Sequence, residues 1–98
     1  MTIQQLEYIV AVDRHRHFVR AAEDCGVTQP TLSAMIQKLE EELNAQIFDR
    51  SKHPVEPTGI GRKIIAQART ALNDMGRLQE LVQSEVNALS GKLSIRII

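Results

Sequence analysis

Large aromatic rings are scarce in this sequence: tryptophan is absent, and Tyr8, Phe18 and Phe48 are the only aromatic residues among 98. A core so poor in rings must be assembled from Leu, Ile, Val and Ala, which favours helix packed on helix. Cysteine is nearly absent as well. Cys25 stands alone, so no intrachain disulfide can form, and one Cys with three His at these spacings does not make a zinc site. At the end of an apolar helix, Cys25 is expected to be a small buried thiol. No apolar run is long enough to span a bilayer and no signal peptide is visible, so the expectation is a cytoplasmic protein without a membrane partner. Enzyme chemistry has nothing to stand on: there is no nucleophile–base pair, no pocket-like carboxylate pair and no metal cluster, hence no catalytic residue and no cofactor.

An excess of charge is also missing. The chain holds 12 Lys+Arg against 12 Asp+Glu. Residues 1–57 carry 6 and 9, a balance of −3, and residues 58–98 carry 6 and 3, a balance of +3. A non-specific nucleic-acid coat would be basic, so any contact with DNA must come from a small local patch. With 43% hydrophobic and 24% charged residues, the chain is globular rather than disordered. A domain of about 60 residues buries only roughly 60% of its unfolded surface, which makes a partner chain a reasonable expectation.

What is present is concentrated in residues 21–43, AAEDCGVTQPTLSAMIQKLEEEL. The small Ala21 and Ala22 let one helix lie close under the next. Gly26 supplies a left-handed turn position, Thr28 can cap the following helix, and Pro30 fits only in a first turn. Leu32, Ile36, Leu39 and Leu43 form one buried face. This is the layout of a helix-turn-helix that places its second helix in the DNA major groove. Pro30, Ala34 and Gln37 point away from the buried face, Ser33 and Lys38 flank them, and Gln29 projects from the tip. So short and polar a surface at a helix N-terminus suits a base-pair edge and a phosphate. The plainer alternative is the solvent face of a helical hairpin.

The flanking segments extend the pattern. Thr2 and Gln5 are spaced as a capping box, opening an amphipathic helix from about Ile3 to Arg14. A charged turn, HRH at 15–17, leads to a short helix over Phe18–Cys25. His15 and His17 are expected to be solvated. In AQIFDRSKHPVEPTGIG, Pro54 and Pro57 prevent a helix, and Val55 is expected to pair back toward Ile47 or Phe48. The segment is read as a two-stranded wing with Arg50, Lys52 and His53 at its tip, the alternative being a plain connecting loop. Thr58 then caps a long helix. Gly61, Ile65, Ala68, Leu72, Met75, Gln79, Val82, Val86 and Leu89 recur at coiled-coil spacing, widened by Ile64, Ala71, Leu78 and Leu81. Gly59–Gly61, with no strand before it, is not a nucleotide loop. Ser90 and Gly91 are expected to end the helix, and KLSIRII to be a β-strand.

Taken together, LEYIVAV, FVRAAEDCGVTQPTLS, IQKLEEEL, IFDR, PTGIG and GKLSIRII resemble the N-terminal part of a LysR-type transcriptional regulator over nearly the whole chain. Within that family RHRHF, AAEDC, QPTLS and the small Ala34, where most members carry Arg, look most like the peroxide-sensing OxyR branch. The resemblance implies a mainly α fold. A winged helix-turn-helix (1–57) would be followed by a linker helix (58–89) and the first strand of a truncated effector domain (90–98). It implies operator or promoter DNA as partner, read as an interrupted palindrome, by a homodimer paired through its linker helices and by a tetramer in the full-length protein. Gln29, Pro30 and Ser33 match the family's base-contacting positions, and Thr28 and Thr31 its phosphate or base-edge positions. Gln37, Lys38, Arg50 and Lys52 complete the expected DNA surface. His53 takes the place of an arginine that enters the minor groove, and with an unperturbed pKa of about 6.5 a histidine is mostly neutral at pH 7. The expected dimer seam is Ile65, Ala68, Leu72, Met75, Val82, Val86 and Leu89. The branch's redox cysteines belong to the effector domain, and Cys25 is not one of them. The competing expectation is a helical protein-interaction module with a coiled-coil helix and no DNA activity.

Overall fold

Thr2 begins the first helix as its spacing predicts. Its hydroxyl accepts the Gln5 N–H while the Gln5 side chain accepts the Thr2 N–H, a closed capping box. The computed structural model describes the backbone of residues 1–97 and the side chains of residues 1–89. In chain order the elements are α1 (Ile3–His15), α2 (Phe18–Cys25), α3 (Gln29–Leu43), β1 (Phe48–Asp49), β2 (Glu56–Pro57) and α4 (Gly59–Ile97). Gln5 is buried, and its amide also donates to the Met35 carbonyl at 3.0 Å, tying the start of α1 to α3.

Each of the first three helices stops on a left-handed residue. Gly26 (φ 70°) closes α2 with no steric cost, whereas Arg16 (φ 53°) and Asn44 (φ 52°) are side-chain-bearing caps. Arg16 is held from two sides: its carbonyl accepts the Val55 N–H at 3.2 Å, and its guanidinium pairs with Asp13 at 3.0 Å. Thr28 and Thr58 cap α3 and α4, accepting the N–H of Thr31 and Gly61 respectively.

The core gathers Ile9 and Val12 of α1, Ala21 and Ala22 of α2, and Leu32, Ile36 and Leu39 of α3. Ile47, Phe48, Ile65 and Ala68 complete it from the wing and α4. Phe18 meets Phe48 edge to face, centroids 6.2 Å apart, so two of the few rings join α2 to the wing. Cys25 is only half-buried; burial, then the nearby charges of Asp24 and Glu7, push its thiol up.

Three expectations change. The wing is an antiparallel pair in the register Phe48↔Pro57 and Asp49↔Glu56, so Val55 does not pair with Ile47 or Phe48. Val55 is buried, and its N–H goes to Arg16 instead. Pro57 is tolerated at this two-stranded edge because it need not donate to a further strand.

The linker helix runs through Ser90 and Gly91 to Ile97 rather than yielding to a strand over 92–98. A helix satisfies its own backbone, whereas a strand needs a neighbour, and none is present among the described residues. Ile98, the last residue of the expected strand, lies outside the described residues.

The coiled-coil seam is divided. Gly61, Ile65 and Ala68 are buried and Leu72 is half-buried against the chain's own core, while Leu78, Leu81, Val82, Val86 and Leu89 are exposed. Ile65 and Ala68 are therefore committed to the intrachain core and are not free to meet a partner. At Gly61 a Cβ would lie 2.0 Å from the Ile47 carbonyl oxygen: α4 rests directly on the wing's backbone, and only glycine permits that approach. The molecule measures 64 × 24 × 20 Å, its long axis comparable to the roughly 58 Å expected of a helix as long as α4.

Candidate nucleic-acid interface

Small, capped and turned outward, the first turn of α3 is built as the spacing predicts. Thr28, Gln29, Pro30 and Thr31 are all exposed, as are Ala34, Gln37 and Lys38, and Ser33 is half-buried. Leu32, Ile36 and Leu39 on the opposite side are fully buried, so the helix cannot rotate without opening the core. The Thr28 hydroxyl donates to the Thr31 hydroxyl at 2.8 Å while accepting the Thr31 N–H at 3.4 Å. Gln29 and Pro30 are left free at the positive end of the helix dipole. Pro30 has no N–H and that of Thr31 is taken by the Thr28 hydroxyl, which leaves the Gln29 N–H to face an incoming anion.

The wing residues separate into two groups. Lys52 and His53 are exposed at the tip; Lys52 makes a solvated pair with Glu56 at 3.3 Å, worth little in water. Asp49 organises the tip by accepting the hydroxyl and backbone N–H of Ser51, which hold its carboxyl below the usual aspartate range. Arg50 turns inward instead. Its guanidinium lies 5.3 Å from the Phe18 ring centroid, and Nη2 is 3.0 Å from Glu40 Oε1. That contact is an ion pair, and Nε and Nη2 are both buried without a hydrogen-bond partner. Arg50 thus spends its charge within the molecule, and Lys52 and His53 remain as the tip's outward groups.

Sequence reasoning missed two other features. Glu40, the first of three consecutive glutamates at the distal end of α3, is half-buried and receives the backbone N–H groups of Ile47 at 2.7 Å and Phe48 at 3.3 Å. Glu42 pairs with the N-terminal amine at 2.7 Å, and Glu41 is exposed. Gln37 and Arg50 line one cleft with Glu40 and Glu41, which brings the outward face of α3 up to the base of the wing.

The histidines form the second feature. His15, His17 and His53 line a cleft of about 510 Å³ between the α1–α2 turn and the wing, with Arg16 and Arg20 beside them. His17 caps α2 by accepting the Arg20 N–H on Nδ1 at 3.2 Å. His15 contacts Asp24 at 3.0 Å. Both therefore do more than face solvent. Asp24 is held below the usual aspartate range, first by its hydrogen bond with His15 and then by the charges of His15 and Arg14. Among the described residues no group of three His, Cys, Asp or Glu could hold a metal ion, and no helix is long and apolar enough to cross a membrane.

Known proteins share this architecture. Residues 3–62 match the family described as bacterial regulatory helix-turn-helix protein, lysR family. Over 98 residues the chain is 45% identical to the hydrogen peroxide-inducible genes activator of Dickeya chrysanthemi, covering 100% of this chain and 32% of that protein. The chain thus spans about a third of the length of that relative. A full-length OxyR variant from Pseudomonas aeruginosa superposes with a TM-score of 0.82 at 48% identity, covering 86% of this chain and 28% of that one. The BenM DBD in complex with benA site 1 DNA superposes with a TM-score of 0.83 at 34% identity, covering 85% of this chain and 93% of that one.

Proposed function

This chain belongs to the lysR family of bacterial regulatory helix-turn-helix proteins, and on that premise we propose that it is the operator-reading and dimerising part of a transcriptional regulator. The observation that carries the proposal is the first turn of α3: Thr28, Gln29, Pro30 and Thr31 are exposed at a capped helix N-terminus, backed by a fully buried Leu32–Ile36–Leu39 face. In the major groove the Gln29 amide can donate to and accept from an adenine edge, and the Pro30 ring suits a thymine methyl. Ser33 extends the turn toward a base edge or a phosphate, and Gln37 and Lys38 continue the same face. Thr28 and Thr31 serve phosphates. Lys52 neutralises phosphate beside the groove, and His53 lies at the minor groove. With residues 1–57 net acidic, base contacts carry a large share of the discrimination.

Two copies pair through the outer half of α4, where Leu78, Leu81, Val82, Val86 and Leu89 lie exposed on one rod; Met75 adjoins this row, and Leu72 sits at its boundary with the core. Such an apolar row is covered in water by a second helix. The full-length protein assembles further, into a tetramer acting in the cytoplasm. Its inducing signal is peroxide, as the names of the relatives suggest, sensed outside these residues. Cys25, half-buried with its thiol pushed up by burial, is a packing residue rather than a reactive one.

The test is enrichment of duplexes from a random-sequence library, followed by titration of the enriched and scrambled duplexes at two salt concentrations. DNA reading requires an enriched sequence with a half-site repeated by two-fold symmetry and a preference that survives raised salt. No enrichment would favour the protein-interaction module, for which the acidic balance of residues 1–57 speaks.

A further inference from the structure

We propose that Glu40 is a positioning residue of the DNA interface: its carboxylate sets where the wing stands relative to the base-reading turn of α3. The inference rests on the reading of α3 and the wing as a DNA surface. One carboxylate makes three connections. Oε2 accepts the N–H of Ile47 at 2.7 Å and of Phe48 at 3.3 Å, and Oε1 faces Arg50 Nη2 at 3.0 Å. Arg50 in turn lies over the Phe18 ring of α2. Glu40 is the better shielded of the pair, its side chain 11% exposed against 30% for Arg50.

Burial of Ile47 and Phe48 holds the wing to the core, but hydrophobic contact is non-directional. Directed hydrogen bonds to a carboxylate on α3 fix the angle at which the chain leaves that helix. Glu40 and Gln29 share one rigid helix, about 16 Å apart along its axis at 1.5 Å per residue. The carboxylate therefore references the wing to the same body that carries the base contacts. Without it, two buried N–H groups and an arginine that already lacks hydrogen-bond partners on Nε and Nη2 would be left unmatched. The start of the wing would then move to find water.

The experiment compares wild type, Glu40→Ala and Glu40→Gln, each alone and combined with Lys52→Ala or Gln29→Ala. The probe is a duplex enriched from a random library by the wild-type protein. Affinity is measured against salt, and amide exchange is followed by NMR in the free protein. In wild type, Lys52→Ala should lower the slope of log affinity against log salt by about one unit. In Glu40→Ala that effect should disappear while Gln29→Ala keeps its full cost. Exchange should quicken at Ile47 and Phe48 but not at Leu32 or Ile36. Glu40→Gln, which retains an acceptor oxygen, should restore part of both and secures the comparison if the alanine variant does not fold.

An undiminished Lys52 effect in both Glu40 variants would overturn the proposal, as would joint loss of the Lys52 and Gln29 effects, which would mark a global role. Unchanged exchange at Ile47 and Phe48 overturns it independently of DNA. A wild-type protein that enriches no duplex removes the DNA reading itself, and with it the positioning role.

Discussion

A single methyl group added to α4 should have opposite consequences at two places. At Gly61 a Cβ would stand 2.0 Å from Ile47 O, 2.8 Å from Ile47 C and 3.0 Å from Thr58 Oγ1. The nearest two are backbone atoms, so no side chain can swing aside. Ordinary van der Waals contact requires α4 to move away from the wing by more than about 1 Å. That displacement also loosens the Thr58 N–H bond to the Ile47 carbonyl, now 2.9 Å. Overpacking costs about 1–3 kcal/mol and the weakened hydrogen bond about 1 kcal/mol. Against these stands a helix-propensity gain of about 1 kcal/mol for Ala over Gly. The net expectation for Gly61→Ala is a loss of about 1–3 kcal/mol. At Gly76 nothing lies within 4 Å of the added atom, so Gly76→Ala should gain up to about 1 kcal/mol. For a domain near this size 1 kcal/mol moves Tm by about 4–8 °C, so the two variants should separate clearly in thermal melts. The melts are followed by circular dichroism at one fixed protein concentration, because association shifts Tm. A Gly61→Ala protein that melts at or above the wild-type temperature would refute the close approach of α4 to the wing.

Other consequences can be checked separately. Thr28→Ala removes a helix cap, so it should cost about 1 kcal/mol of stability and weaken binding to every duplex alike; loss confined to the enriched duplex would make Thr28 a reader instead. His53→Arg adds a permanent charge at the wing tip and should strengthen binding with a steeper salt dependence; weaker binding would place His53 outside the groove. Val82→Asp with Val86→Asp should sediment as a monomer in analytical ultracentrifugation, and an unchanged sedimentation coefficient would exclude the outer half of α4 as a dimer seam. Asp24, held below the usual aspartate range chiefly by its hydrogen bond with His15, contributes stability that is present above its unfolded pKa and is lost as pH falls through the lower folded value. Asp24→Asn should therefore flatten the acid side of the stability profile, and NMR titration of Asp24 at an ordinary aspartate pKa would contradict this.

Much of the scaffold was legible because its signals are local. The Thr2–Gln5 capping box, the Gly26 turn, the Thr28 cap and Pro30 in the first turn each act within a few residues, and the helices begin and end where those residues dictate. The buried face of α3 followed from helical period alone. What escaped depends on contacts distant in sequence. A run of three glutamates reads as solvated, yet Glu40 lies four residues after Ile36 and three before Leu43, on the edge of the apolar stripe. That offset was the available signal that it differs from Glu41. Arg50 was assigned to the wing tip because nothing local shows that Phe18 and Glu40 wait behind it. Gly61 fitted a heptad position, and only the chain's return past Ile47 reveals why it must be glycine. The same heptads could not show that Ile65 and Ala68 go to the intrachain core while Val82 and Leu89 do not, because an apolar stripe carries no label for its partner.

Base reading by the first turn of α3 is tested most directly with Gln29→Ala, titrated against the enriched duplex and a scrambled duplex of the same composition, with a thermal melt alongside. Gln29 is exposed, so the fold should be unaffected and the melt unchanged. Loss of a paired amide at an adenine edge should cost about 1–3 kcal/mol on the enriched duplex, and the scrambled duplex should be bound nearly as before. Equal losses on both duplexes, or no loss on either, would mean that this turn does not read sequence.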